Sequence, residues 1–189
     1  MPIALQPLVW TEAAEAPSTV DVVYEDGHIV TIMNWTFIYR CSSTATAPKG
    51  MVRKFDIESR DLMLDLGLGK SRRVGSEDLR IIRYVYAKRK QMESGREAPL
   101  EKVQIVLKSG EIITLGTLTI SDSAVRTSAR DPGAQLEHLL LYGKQYGRNR
   151  EESDFVTTLV MESSTLVDPA SNEIEFQFHS VRPWERQRP

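Results

Sequence analysis

Residues 66–71 have the sequence Leu-Gly-Leu-Gly-Lys-Ser, and their last three residues, Gly-Lys-Ser, match the end of a nucleotide-binding phosphate loop. Such a loop needs G-x-x-x-x-G-K-[ST], because its glycines turn backbone N–H groups toward the phosphates and a helix follows. Leu64 stands where the first glycine is required, and Arg-Arg-Val-Gly follows in place of a helix. The segment therefore predicts a hairpin turn and no nucleotide site.

Histidine is the commonest general base and metal ligand, and the chain has three histidines. His28, His138 and His179 lie far apart in sequence, and none has a partner at a ligand spacing such as H-x-x-x-H. We expect three surface histidines, with no metal and no cofactor.

Carboxylates and the single thiol are the other candidates for chemistry. A glycosidase needs a pair of carboxylates, and Asp61 and Asp65 would share a strand face. Nothing in the sequence, however, distinguishes these two residues from ordinary solvated acids. Cys41 lies among apolar strand residues, which predicts a buried and inert thiol. Since no G-x-S-x-G elbow is present, we expect a non-catalytic protein, with a hydrolase of unidentified site as an alternative.

The strongest polar signal is a basic segment from Lys70 to Lys108, with eleven lysines and arginines against five acids. Such cations, interleaved with tyrosines, could bind nucleic acid through phosphate contacts and stacking. The candidate contacts are Arg72, Arg73, Arg83, Lys88, Arg89 and Lys90. The same cluster could face an acidic protein or guard a sheet edge, so a nucleic-acid-associated accessory protein is the second alternative.

Both termini carry apolar residues outside any strand pattern. Exposed apolar side chains of this size favour protein interfaces. The candidate anchors are Leu5, Leu8, Trp10 and Trp184. We therefore expect a structural or adaptor subunit that binds other protein subunits, including copies of itself, through sheet edges and terminal tails.

The composition is that of an ordinary globular protein. The chain has 189 residues, 41% of them hydrophobic and 26% charged, with a formal net charge of −2, which is enough for one buried core. It lacks an apolar window of about 20 residues for a membrane helix and a basic start for a secretory signal. With one cysteine and no membrane span, we expect a cytoplasmic protein.

Segments 20–32 and 103–115 repeat one pattern at an offset of 83 residues, with five of thirteen positions identical. Each reads as an apolar strand, a glycine turn and a second apolar strand. In the first copy, Asp26 and Gly27 predict a two-residue type I′ turn. Two hairpins are predicted, while an internal duplication stays open.

Period-two alternation predicts further strands. Leucines at positions 62, 64 and 66 predict a strand that returns at 71–74, and residues 80–88 predict another. The strand after the first turn places five residues on one face: Met33, Trp35, Phe37, Tyr39 and Cys41.

One helix is predicted at about 131–142. Asp131 is a good N-cap, Pro132 suits the first helical position, and Gly143 could end the helix. Residues 143–154 then predict a loop, and 155–167 with 173–179 predict a last hairpin.

These elements predict a mainly β fold, namely an antiparallel β-sandwich or partly open barrel built from hairpins. It would have one short helix and extended N- and C-terminal tails. The arm would span residues 1–19, a single domain 20–181, and the tail 182–189.

Overall fold

The structure, a computed structural model, describes residues 19–24, 26–45, 48–86, 98–147, 149, 151–160, 165–166 and 173–179. Most of the predicted arm and the whole predicted tail lie outside this part of the chain. So do four candidate anchors and three candidate cations: Leu5, Leu8, Trp10, Trp184, Lys88, Arg89 and Lys90.

Twelve strands and one helix make up the described residues. The first six strands are β1 (Thr19–Tyr24), β2 (Ile29–Ser43), β3 (Arg53–Ser59), β4 (Leu62–Gly67), β5 (Lys70–Val74) and β6 (Leu79–Tyr86). The others are β7 (Ala98–Leu107), β8 (Ile112–Leu115), β9 (Gln135–Tyr146), β10 (Glu152–Val160), β11 (Thr165–Leu166) and β12 (Glu173–His179). The helix, α1, is Asp122–Ala129.

The strands form two antiparallel sheets. The large sheet has the order β10-β9-β2-β1-β12-β6-β7-β11, with β3 also beside β2 and β8 also beside β7. The small sheet contains β4 and β5. Neither sheet closes into a barrel within the described residues. The prediction of a mainly antiparallel β fold built from hairpins, with one short helix, is confirmed.

One hydrophobic core joins the two sheets. Trp35, Phe37 and Tyr39 of β2 are fully buried, and the Trp35 ring lies edge-on to Phe178 with 4.9 Å between centroids. Leu62 and Leu64 of the small sheet belong to the same core and are also fully buried. Burial of each such side chain contributes about 1.5–3 kcal/mol, so the small sheet is held in place mainly by this apolar face.

The two repeated segments form hairpins with the same backbone hydrogen bonds. In the first, the N–H of Tyr24 donates to the carbonyl of His28, and the N–H of Gly27 donates to the carbonyl of Tyr24, both at 2.9 Å. The same two bonds, also at 2.9 Å, join residues 107, 110 and 111 in the second. The hairpins are confirmed, but each connection has three residues, so the predicted two-residue turn is wrong.

The face predicted for β2 is correct only after residue 34. Asn34 has a φ of 51°, and the pairing of β2 with β9 shifts between Met33 and Thr36. Ile32 is fully buried before this β-bulge and Trp35 after it, while Met33 is only half-buried. A bulge inserts one residue and so moves the inward face by one position.

The predicted helix at 131–142 is wrong, because residues 135–146 form β9. This strand pairs with β2 on one edge and with β10 on the other. Leu139 and Leu141 are fully buried, and Leu140, on the opposite face, is only 7% exposed. A short leucine run buried on both faces cannot be told from a buried helix by periodicity. Asp131 forms a turn instead, accepting the N–H of Gly133 at 2.9 Å.

The helix of the structure, α1, lies earlier in the chain. The Ser121 side chain caps it by accepting the N–H of Ala124 at 3.3 Å, and Arg130 closes it with a φ of 52°. Val125 is its one buried residue, so the segment lacks the apolar stripe that predicts a helix. Among the residues described, no helix is long and apolar enough to cross a membrane.

The predicted last hairpin has the wrong partners. β10 pairs with β9, so part of the predicted loop at 143–154 belongs to these two strands. β12 pairs instead with β1 and β6, at the centre of the large sheet. Phe176 and Phe178 of β12 point into the core, each 4% exposed.

Candidate functional site

A groove of about 310 Å³ lies between the β4–β5 hairpin and α1, and we call it the hairpin groove. Met63 of β4 and residues 71–73 of β5 line one side. The other side is the helix wall, which carries four hydroxyl groups: Ser121, Ser123, Thr127 and Ser128. The lining of the groove is about equally polar and apolar, with arginine on one wall and hydroxyls on the other.

Backbone hydrogen bonds fix α1 against β4. The N–H of Asp65 donates to the carbonyl of Thr119 at 2.9 Å, and the N–H of Ser121 donates to the carbonyl of Met63 at 2.8 Å. The Ser128 hydroxyl also lies 3.5 Å from the Met63 sulfur. Since residues 119–121 occupy one edge of β4, α1 starts directly beside the small sheet.

The opposite edge of the small sheet has no strand partner among the described residues. β4 uses its second edge to pair with β5, from Leu62 opposite Val74 to Gly67 opposite Lys70. Within the part of the chain that the structure describes, β5 pairs only with β4. Alternate N–H and C=O groups of β5 therefore point away from β4, on the side opposite residues 119–121.

Arg72 and Arg73 point to opposite faces of β5, because side chains alternate along a strand. Arg72 forms a bidentate pair with Glu111 of the β7–β8 turn, at 2.6 and 2.8 Å. Hydrogen bonds from Arg72 lower the pKa of Glu111. Arg73, which shares the face of Ser71, pairs with Asp61 through Nε at 2.6 Å and through Nη2.

Most hydroxyls of the helix wall already have partners. The Ser121 and Ser123 hydroxyls lie 3.1 Å apart, and Thr127 donates to the carbonyl of Ser123 at 2.9 Å. The Ser71 hydroxyl on the opposite wall has no hydrogen-bond partner among the described residues. Its donor and acceptor are available to a ligand.

The candidate nucleic-acid contacts that fall on described residues do not form one unpaired patch. Arg83 lies in the large sheet, 3.2 Å from Glu175 and 3.4 Å from Gln104. Together with Arg72 and Arg73, each candidate cation that falls on described residues is in an ion pair. Only Arg72 and Arg73 belong to the hairpin groove.

Other residues considered for chemistry lie away from the groove. Residues 66–71 form the end of β4, a turn and the start of β5, so the predicted hairpin is confirmed. Cys41 is fully buried, as predicted, and this burial raises the pKa of its thiol to about 11, which disfavours the reactive thiolate. His179 pairs with Asp21 at 3.1 Å on the large sheet.

Sequence reasoning missed the hairpin groove because no motif marks it. The available signal was local: four hydroxyl residues fall within positions 121–128, and Ser123 and Thr127 are spaced to share one helix face. That spacing becomes informative only when the segment is known to be helical.

The comparisons with known proteins add no identification, because no protein-family model, curated protein or solved structure matches the chain.

Proposed function

We propose that the chain is a non-catalytic adaptor or structural subunit that binds an extended segment of a partner protein along the outer edge of β5, beside the hairpin groove. One observation carries this proposal: β5 has an unpaired outer edge within the described residues, and three of its successive residues line the groove.

An open strand edge beside a helix has the physical features of a peptide-binding site. An added strand hydrogen-bonds to the outward N–H and C=O groups, while pockets for its alternate side chains give specificity. β5 has five residues, which corresponds to about 16 Å of extended chain. The outer edge of β5 could therefore pair with about five residues of a partner, and alternate side chains of that segment would lie on the face of β5 that carries Ser71 and Arg73.

Other strand edges fit this role less well. β3, for example, pairs only with β2 among the described residues, but Arg53, Lys54, Asp56 and Glu58 make its exposed positions charged. Such charges discourage edge-to-edge pairing. β5 alone combines its open edge with the hairpin groove.

Arg72, Arg73 and Arg83 are each paired with a carboxylate. They therefore form no track of unpaired cations along which a phosphate backbone would bind, and this favours a protein partner over nucleic acid. The predicted anchors Leu5, Leu8, Trp10 and Trp184 remain candidates for further protein contacts, and the proposal for the groove does not depend on them.

The test is a selection from a random library of nine-residue peptides (~30 Å extended) against the immobilised full chain. Binding of the most enriched peptide is then measured by fluorescence anisotropy. Thr127→Trp should fill the groove from an exposed helix position and weaken binding about tenfold or more, whereas Ser153→Trp, at an exposed position of β10, should not. Failure to enrich any peptide, or equal binding by both variants, would contradict the proposal.

A further inference from the structure

Arg73 keeps one side of its guanidinium group available. A guanidinium has five N–H donors and two edges that can each hold a carboxylate. Asp61 uses a single oxygen, Oδ2, to contact Nε and Nη2, and no contact to Nη1 is present among the described residues. The edge formed by Nη1 and Nη2 can therefore accept a second oxyanion.

The position of Arg73 makes this edge accessible. Its side chain is 71% exposed and lines the hairpin groove. Ser71, with its unused hydroxyl, lies two residues earlier on the same face of β5, about 7 Å along the strand. Ser123 and Thr127 stand on the opposite wall. A ligand group in the groove would thus meet a guanidinium edge and the Ser71 hydroxyl.

The carboxylates next to the hairpin are already engaged. Glu111 pairs with Arg72 and Asp61 pairs with Arg73, and the Oδ1 of Asp65 accepts the N–H of Gly67 at 2.8 Å.

We infer that Arg73 and Ser71 form an oxyanion subsite in the hairpin groove, which binds an acidic side chain of the extended partner segment. This inference rests on the proposed function and adds the chemistry of the ligand. Carboxylate and phosphate groups share the required geometry, so an aspartate, a glutamate or a phosphoserine could supply the anion.

The experiment uses the most enriched peptide of the selection described above and the full chain. Where the peptide carries an acidic residue, that residue is replaced by glutamine or by phosphoserine. Glutamine should weaken binding to the wild-type chain about tenfold or more, because charge-assisted hydrogen bonds are lost. Tighter binding of phosphoserine than of the carboxylate would assign the subsite to phosphate, and weaker binding would assign it to carboxylates.

Variants of the chain separate the subsite from a structural effect. Arg73→Gln should reduce binding of the acidic peptide about as much as the glutamine peptide does, and combining the two changes should add little. Arg80→Gln removes the same charge from an exposed position of β6 and should leave binding unchanged. Asp61→Asn should preserve or increase binding, whereas a purely structural Arg73–Asp61 pair would make Asp61→Asn as harmful as Arg73→Gln.

The outcomes distinguish the two proposals. If no peptide binds, the proposed function fails and the subsite fails with it. If peptides bind but carry no acidic residue, or bind Arg73→Gln as tightly as wild type, the oxyanion subsite is overturned and the peptide groove stands.

Discussion

The phenol of Tyr39 contacts the backbone of β4, because its oxygen accepts the N–H of Met63 at 3.3 Å. The same hydroxyl donates to the carbonyl of Asp61. Tyr39 belongs to the large sheet, and Met63 lies in the wall of the hairpin groove. One buried side chain thus fixes the position of the groove relative to the core.

Replacing Tyr39 with phenylalanine tests this coupling. The change leaves a buried N–H and a buried carbonyl without their partner, which should reduce the free energy of unfolding by about 1–3 kcal/mol. Urea denaturation gives the value, and hydrogen exchange of the Met63 amide should become faster. Tyr146→Phe, at a side chain that is 50% exposed, is the control. A Tyr39→Phe protein as stable as this control would contradict the coupling.

Because the two hairpins have the same hydrogen bonds, we expect equivalent glycine substitutions in them to lower the free energy of unfolding by equal amounts. Gly27 and Gly110 have φ angles of 85° and 91°, and an added Cβ at either position meets nothing within 4 Å. Each glycine-to-alanine change should therefore cost about 1–2 kcal/mol through backbone conformation alone. Gly116→Ala, where space is also open but φ is not positive, should cost nothing. Thermal unfolding compares the three variants, and clearly unequal costs at Gly27 and Gly110 would contradict the equivalence.

Leu68 stands in the β4–β5 turn in a conformation that disfavours leucine. It is fully exposed with a φ of 53°, and Gly69 follows with a φ of 73°, as in a type I′ turn. Asparagine adopts this conformation more readily, so Leu68→Asn should raise the free energy of unfolding by about 0.5–1 kcal/mol. Leu66→Asn, in the adjoining strand, should not stabilise the protein. A destabilised Leu68→Asn protein would contradict the turn geometry.

Asp131 predicts a dependence of stability on pH. Hydrogen bonds from the Ser43 hydroxyl and then from the Gly133 backbone lower the pKa of its carboxyl below the ordinary value of 3.8. A lowered folded pKa stabilises the protein fully above the unfolded pKa, and this contribution is lost as the pH falls through the folded value. Asp131→Asn should therefore be less stable than wild type at pH 7.

Unfolding of wild type and Asp131→Asn is compared from pH 7 to below the ordinary pKa of 3.8. The difference in stability between the two proteins should shrink over the acidic part of this range. Glu58→Gln, at an exposed position of β3, controls for loss of a negative charge. A difference that stays constant at every pH would exclude Asp131 as the source.

Local pattern predicted the hairpins because their information is local. In segments 20–32 and 103–115, strand alternation and a glycine three residues after the first strand specify the same hydrogen bonds. The leucines at 62, 64 and 66 likewise predicted β4, although Leu66 turned out to be 38% exposed. Strand identity in these regions needs no knowledge of distant partners.

The errors occurred where distant pairing decides the structure. Leu139 and Leu140 read as one helix face, but β2 and β10 on both sides hold the segment as a strand. The bulge at Asn34 could not be expected, because it depends on the register between β2 and β9. The hairpin groove also depends on tertiary structure, since it brings Ser71 and Thr127 together from distant parts of the chain.

The most direct test of the account is amide hydrogen exchange of the full chain, with and without saturating amounts of the selected peptide. Outward-facing amides of β5 should gain protection, because an added strand takes up their hydrogen bonds, while the amides of β3, β8 and β10 should not change. Protection confined to one of those other edges, or absent from β5, would contradict binding along the hairpin groove.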